Sequence, residues 1–359
     1  MDRKFKLHRM DRNTRSYTWF NILIALFLLS TTNTNAQTSA GTVTGTVIDD
    51  ESSLPLISAA IYLSGTTIGI ASDSDGRFTL NNVPPGIYEL VVRYVGYEQL
   101  ILPFEIEAGG RKNFGELRLD IETFIFDDIV VEARRDLEWL EHYSLFKRSF
   151  LGQSENAGYT EIMNPEVLEF TVNRKTIDLV ATAGAELHII NHALGYELFT
   201  ELVSFSYDTK NDYGAYYHRT RFVEMEPEQQ ESWVNNRQKT FDGSFSHFLQ
   251  SLINGTADEV FNIENGEVTH VNTRHASGYG SNIKTEQWVF LVETSRKTPL
   301  LVGYRNRLRS EIDFTSLSVL LVDNYGNLMN PHQVILYGDW ALERMADLLP
   351  SDFNPSGGF

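Results

Sequence analysis

Residues able to do chemistry are plentiful in this sequence and scattered. It holds nine His and 48 Asp and Glu among 359 residues, and no Cys. Disulfides, thiolate metal sites and cysteine nucleophiles are therefore excluded. No His begins a His-x-x-Glu or His-Glu-x-x-His pattern, the helical spacing that sets two zinc ligands on one face. Gly-x-Ser-x-Gly, phosphate-loop and Gly-x-Gly-x-x-Gly patterns are also missing. His188 and His192, four apart, would share a face of a strand and chelate a metal, but Asn191-His192-Ala193-Leu194-Gly195 reads as a turn that separates them. His247 sits beside an apolar helical stripe and reads as a satisfied helix-edge residue. Asp73 and Asp75 could begin a calcium loop, yet calcium takes about six to eight oxygens and no closing Glu follows, so a turn is the expectation. Tyr213, Tyr216, Tyr217 and Trp233 could form a sugar-stacking platform, and their strand-like context favours a core role. The acidic residues offer many candidate acid–base pairs and no motif that frames one. No catalytic, cofactor-binding or metal-ligating residue is assigned, and no cofactor is expected.

The elements that would position any site begin after residue 36. Arg3, Lys4, Lys6, Arg9, Arg12 and Arg15 precede an apolar run, Trp-Phe-Asn-Ile-Leu-Ile-Ala-Leu-Phe-Leu-Leu over 19–29, and a small polar zone ending at Ala36. That layout predicts a signal peptide over 1–36, because a spanning helix needs about 20 apolar residues. Cleavage would leave Gln37 first. The chain carries a formal net charge of −18, and losing this basic leader makes the remainder more acidic. Such a surface repels phosphate backbones and anionic headgroups, so nucleic acid is not an expected partner. Membrane association is expected only through export or peripheral contact.

Residues 42–119 read as short alternating strands broken every 8–12 residues by turn signals, the pattern of an all-β sandwich. Over 87–94, Tyr88, Leu90 and Val92 share one face while Ile87, Val91 and Arg93 share the other. Asp73-Ser74-Asp75-Gly76 and Pro84-Pro85-Gly86 supply turn chemistry. Gly45, Val47, Asp49, Pro55-Leu56, Ala59, Asp75-Gly76-Arg77-Phe78, Pro85-Gly86-Ile87-Tyr88 and Val95-Gly96-Tyr97 carry a resemblance to the carboxypeptidase-like regulatory domain. The resemblance implies a prealbumin/transthyretin-like sandwich over 40–120, of the kind common in exported proteins of the Bacteroidota. Phe126-Asp127-Asp128-Ile129-Val130-Val131-Glu132-Ala133 resembles the stretch that follows this sandwich in TonB-dependent outer-membrane receptors. The rest of the chain lacks the repeated alternating strands of such a barrel, so a linking strand is expected and not a receptor.

From residue 134 the period changes. Trp139, Leu140, Tyr143, Phe146 and Phe150 predict an amphipathic helix over 135–151, and Phe245, Phe248, Leu249, Leu252 and Ile253 predict another. A third is expected over 340–349. Strands are expected over 167–172, 176–181, 186–191, 196–207, 213–223, 287–292, 299–305, 311–314 and 317–322. Helices this few cannot connect parallel strands, so an α+β domain over 134–350 with mainly antiparallel strands follows, with a loose tail over 351–359. Asn191-x-Ala193-Leu194-Gly195-Tyr196, Gly243-Ser244-x-x-His247-Phe248-Leu249 and Gly338-Asp339-Trp340-x-x-x-Arg344-x-x-x-Leu348-Leu349-Pro350 resemble an uncharacterised module that trails the regulatory-like sandwich in exported proteins, which implies no activity.

These readings predict a non-enzymatic, exported envelope protein of the periplasm, outer membrane or cell surface that engages an envelope protein or a glycan. The alternatives are a hydrolase with a site in the second domain and an accessory component of an outer-membrane uptake system. A convergent polar cluster in a second-domain pocket would favour the hydrolase, and a flat exposed aromatic strip would favour the binder.

Overall fold

Seven strands, β1 (Gly41–Asp49), β2 (Ala60–Leu63), β3 (Gly69–Ala71), β4 (Arg77–Val83), β5 (Gly86–Arg93), β6 (Leu100–Ile106) and β7 (Arg111–Leu119), build the sandwich in the computed structural model. The structure describes residues 40–122, 137–173, 178–226, 230–277, 284–295, 298–305, 308–323 and 325–355. The expected leader and the receptor-like stretch Phe126–Ala133 lie outside the described residues. The two sheets run β4-β1-β7 and β3-β2-β5-β6. All their pairs are antiparallel except β1 with β7. Val43, Val47, Leu63, Leu80, Leu90, Val92 and Phe104 fill the space between them. Gly76 explains the tightest turn. Its φ is +72°, and an added Cβ would lie 2.4 Å from the Val47 carbonyl oxygen. Asp73 Oδ1 accepts from the Asp75 and Arg77 amides at 2.9 and 2.8 Å, so this loop is a side-chain-capped turn.

The second region opens with α1 (Leu137–Leu151), whose Phe146, Phe150 and Leu151 are buried. Leu140, expected on its apolar face, is 47% exposed. α1 covers a six-stranded sheet of β8 (Thr160–Ile162), β9 (Leu168–Asn173), β10 (Asp178–Ala183), β11 (Leu187–Asn191), β12 (Tyr196–Asp208) and β13 (Tyr213–Glu224). β12 is its spine. It pairs with β11 through one half, with β10 through the other, and with β13 along its whole length.

A second core follows. It packs α3 (Phe245–Ile253) against two further antiparallel sheets. α2 (Gln230–Phe241) precedes α3, and α4 (Ala257–Val260) follows it. The sheets use β14 (Phe261–Ile263), β15 (Gly266–Ser277), β16 (Lys284–Thr294), β17 (Leu300–Tyr304), β18 (Leu308–Phe314), β19 (Val319–Asp323) and β20 (Val334–Gly338), and α5 (Asp339–Leu342) closes the region. All described residues fall in one compact unit spanning Ala40–Phe359. No helix among them is long and apolar enough to cross a membrane.

The expected helix over 340–349 is broken. α5 is one turn long, Glu343 and Arg344 are extended (φ −70°, ψ 116° and φ −138°, ψ −152°), and a 3₁₀ turn spans Met345–Asp347. Long-range bonds impose this. Trp340 Nε1 donates to the Gly243 carbonyl at 2.8 Å, and Asn191 Nδ2 donates to the Ala346 carbonyl at 2.8 Å. The break places Glu343 beneath the start of α3, where it accepts from the Phe245 amide, and Arg344 against Tyr216 on β13.

Candidate functional site

The site forms where the sandwich meets β13. The turn between β2 and β3 reaches across to that strand. Gly65 N donates to Thr220 O at 2.6 Å, and Phe222 N donates to Thr66 O at 3.0 Å, a parallel bridge on the outer edge of β13. On its other side Ser351 N donates to Gly65 O at 2.8 Å, while Asp352 accepts from the Thr67 amide at 3.1 Å and from its hydroxyl. Strand edges carry unmet hydrogen-bonding groups, and this turn meets those at Thr220 and Phe222. A polar seam extends the contact. Arg219 bonds Glu89 at 2.9 Å and Glu201 at 3.5 Å, Gln99 bonds Glu201 at 2.8 Å, and Arg93 pairs with Glu186. Tyr62 and Val91, register partners on the outward face of the β2–β5 sheet, are buried, and Arg221 lies 5.9 Å over the Tyr62 ring.

Beside this joint lies a cleft of about 550 Å³. Its lip is the rigid Pro84-Pro85-Gly86 turn, with Tyr88 behind it. Its floor is Tyr216, His218 and Phe222 on one face of β13, and the broken segment from Glu343 to Ser351 forms the far wall. A second cavity of about 490 Å³ shares Thr240, Glu343 and Asp347 with it.

Glu343 lines both cavities. Burial pushes its carboxyl up to about 8, opposed by its bond from the Phe245 amide at the start of α3 (3.4 Å) and aided by Asp347 and Asp339. It is therefore mostly protonated at neutral pH. Asp347 is also raised by burial, and bonds from Ser154 and Asn156, both 2.8 Å, pull it back. Asn156 also donates to Thr240 at 2.9 Å. His218 is held down at about 4 by burial and is neutral. Its Nδ1 lies 2.9 Å from Thr220 Oγ1, itself 3.0 Å from Thr200 Oγ1, and among the described residues no partner meets the other ring nitrogen. Burial raises the Tyr216 phenol, which accepts from Arg344. The Tyr88 hydroxyl, raised by burial, donates to the Pro84 carbonyl at 3.1 Å.

The residues weighed from sequence fall mostly elsewhere. His188 stacks on Phe199 and reaches Glu197 at 3.3 Å, whereas His192 lies in the following turn, so the two are kept apart. The His192 carbonyl accepts from Trp233 Nε1 at 2.9 Å, and its side chain lines the smaller cavity. His247 Nδ1 accepts from the Gly243 amide at 3.0 Å and its ring stacks on Phe241. Tyr213 and Tyr217 are 49% and 38% exposed on one face of β13, Tyr216 lies on the other, and Trp233 is buried. They make no single platform. No cluster of three or more His, Asp or Glu able to hold a metal occurs among the described residues. Glu343, Asp347 and His218 belong to no motif in the sequence, and Arg344 stands out only in the resemblance of the closing segment to the trailing module. The one available signal was Trp340-x-x-Glu343-Arg344, charged side chains inside an apolar closing segment.

Residues 43–131 match the model of the CarboxypepD_reg-like domain. The chain is 33% identical over 132 residues to TonB-dependent receptor P39 of Formosa agariphila, covering 36% of this chain and 12% of the receptor. It therefore spans a small part of that receptor's length. Among solved structures, a group B streptococcus pilus 2b backbone protein overlaps 23% of this chain and 42% of its own at 18% identity and a TM-score of 0.20. A 3-chlorocatechol 1,2-dioxygenase from Rhodococcus opacus overlaps 24% of this chain and 63% of its own at 14% identity and a TM-score of 0.21. Overlaps this slight carry neither fold nor function. The likeness to the CarboxypepD_reg-like domain is confined to residues 43–131, about a quarter of the chain.

Proposed function

We propose that this is an exported, envelope-associated binding protein whose sandwich and second region together form the ligand cleft. The observation that carries this reading is the joint itself. The Gly65–Thr67 turn is held by main-chain bonds to both β13 and the C-terminal segment, and the same turn, strand and segment line the cleft. A regulatory-like sandwich fixed in this way acts as one wall of a site. The cleft's size lies within the range of about 300–1,000 Å³ usual for ligand sites. Its polar groups converge, the feature expected of a hydrolase, but the way they are bonded favours holding over turnover. Asp347 Oδ1 is engaged by Ser154 and Asn156 and its Oδ2 only by the Arg344 amide at 3.5 Å, and His218 faces Thr220, not an orienting carboxylate.

The test is affinity capture of native envelope extract by the exported protein beside a Ser246→Trp variant. Ser246 is exposed on α3 and lines the cleft, so a Trp there fills it without disturbing a core. Material retained by the parent and lost by the variant supports the reading. Equal retention by both overturns it.

A hydrolase is the second reading, and one observation favours it. A carboxyl held protonated, Glu343, and a neutral imidazole, His218, line the same cleft, the protonation states a general acid and a general base require. Turnover of captured material by the parent, abolished in Glu343→Gln, would establish it.

A further inference from the structure

We propose that the cleft takes an uncharged, hydroxyl-rich ligand, a neutral oligosaccharide; this rests on the cleft being the binding site. Few ionisable side chains line it, and burial shifts most of them toward their neutral forms, Glu343 and Asp347 upward and His218 downward, which leaves Arg344. An anionic ligand would meet one guanidinium already engaged by the Tyr216 phenol, in a chain of net charge −18. A cationic ligand would have to draw Asp347 away from three donors. An extended peptide adding itself to β13 would find the groups at Thr220 and Phe222 occupied by Gly65 and Thr66.

The remaining lining combines neutral donors and acceptors with some apolar surface. Gln250 and Ser246 offer amide and hydroxyl groups, while the Ser244 hydroxyl caps α3 and the Asn327 amide donates to Asp323; Phe353 adds a half-buried ring, with Phe241 and Trp340 buried behind it. His218 presents a ring nitrogen with no protein partner among the described residues. Pyranose rings present one face of C–H groups and an edge of hydroxyls, which is the complement of this lining. The rigid lip of Pro84 and Pro85 means that little ordering is needed on binding.

The experiment is calorimetric titration at pH 7 with neutral malto-, cello-, manno- and xylo-oligosaccharides, with oligogalacturonates and with chitosan oligomers. The result expected is saturable binding of a neutral series that changes less than about twofold as salt is raised from roughly 0.05 to 0.5 M, because no charge pairing is involved. Gln250→Ala should weaken it about tenfold, the loss of one buried hydrogen bond, and Ser246→Trp should abolish it. Both variants are first checked for an unchanged melt. Binding of a charged oligomer, lost in Ser246→Trp, would overturn the ligand class and leave the cleft standing. Neutral binding that survives Ser246→Trp would overturn the cleft. Absence of neutral binding by the folded parent at millimolar ligand would overturn the ligand class.

Discussion

The sandwich and the second region hold themselves together by different means. Turns of the sandwich are closed by residues a few positions apart. Asp73 caps the amides of Asp75 and Arg77, Gly76 takes a left-handed φ of +72°, and Pro84 accepts from Tyr88. In the second region the decisive bonds span the sequence. Asp347 holds Ser154 and Asn156, Asn191 holds Ala346, and Trp340 holds Gly243. Local chemistry thus builds a scaffold that its sequence announces, while the site is assembled from segments that meet only after folding.

The largest test of that contrast is core truncation. Phe146 is fully buried between Phe150, Phe170 and Phe205, and Phe146→Ala should cost about 3–5 kcal/mol in denaturant unfolding. We propose that the sandwich folds by itself, so a fragment of residues 40–122 should melt cooperatively and its melt should match the sandwich phase of the Phe146→Ala protein. A fragment that never melts cooperatively would show that the scaffold depends on its neighbour. Gly76→Ala should follow with roughly 1–3 kcal/mol, since it combines strain at positive φ with a Cβ 2.4 Å from the Val47 carbonyl oxygen. An effect below a few tenths of a kcal/mol would mean that the turn relaxes freely.

Proton linkage sharpens the comparison next. The Glu343 carboxyl titrates near 8 when folded and near 4.5 when not. The native state therefore holds the extra proton in between, and stability from this group is intact below about pH 4.5 and is lost as pH rises through 8. Glu343→Gln mimics the protonated form, so its stability relative to the parent should rise steadily from pH 5 to 8 in urea titrations. A constant difference would mean that Glu343 is ionised throughout. The smallest effect is expected at the joint. Asp352→Ala removes the bonds to Thr67 and should cost about 1 kcal/mol, read as a small shift in melting midpoint.

The same contrast explains what could be read in advance. Tyr88, Leu90 and Val92 alternate as a half-buried strand must, and all three are in the sandwich core. Tyr62 and Val91 break the polar-outside rule because the second region covers that face. The helix Phe245–Ile253 lies where its apolar spacing indicated, with Ser244 accepting from the His247 amide at its start. The segment from Trp340 to Leu349 has equally good helical spacing and is not one helix, because bonds to Gly243, Asn191 and Asn156 outweigh it. Glu343 and His218 gain their character from burial, which no local pattern records. α2 was missed because its residues Gln-Glu-Ser-Trp-Val-Asn-Asn-Arg-Gln-Lys-Thr-Phe lack a clear apolar stripe. It is held by Arg237, which bonds the Leu194 carbonyl at 2.8 Å and lies 3.8 Å over the Tyr196 ring.

Amide hydrogen exchange with and without bound oligosaccharide addresses the shared cleft most directly. Protection is predicted to rise together in the lip at 86–88, the floor at 216–222 and the wall at 343–351, prolines aside. Protection confined to the exposed Tyr213 and Tyr217 face of β13, or to the β15–β16 hairpin, would contradict it.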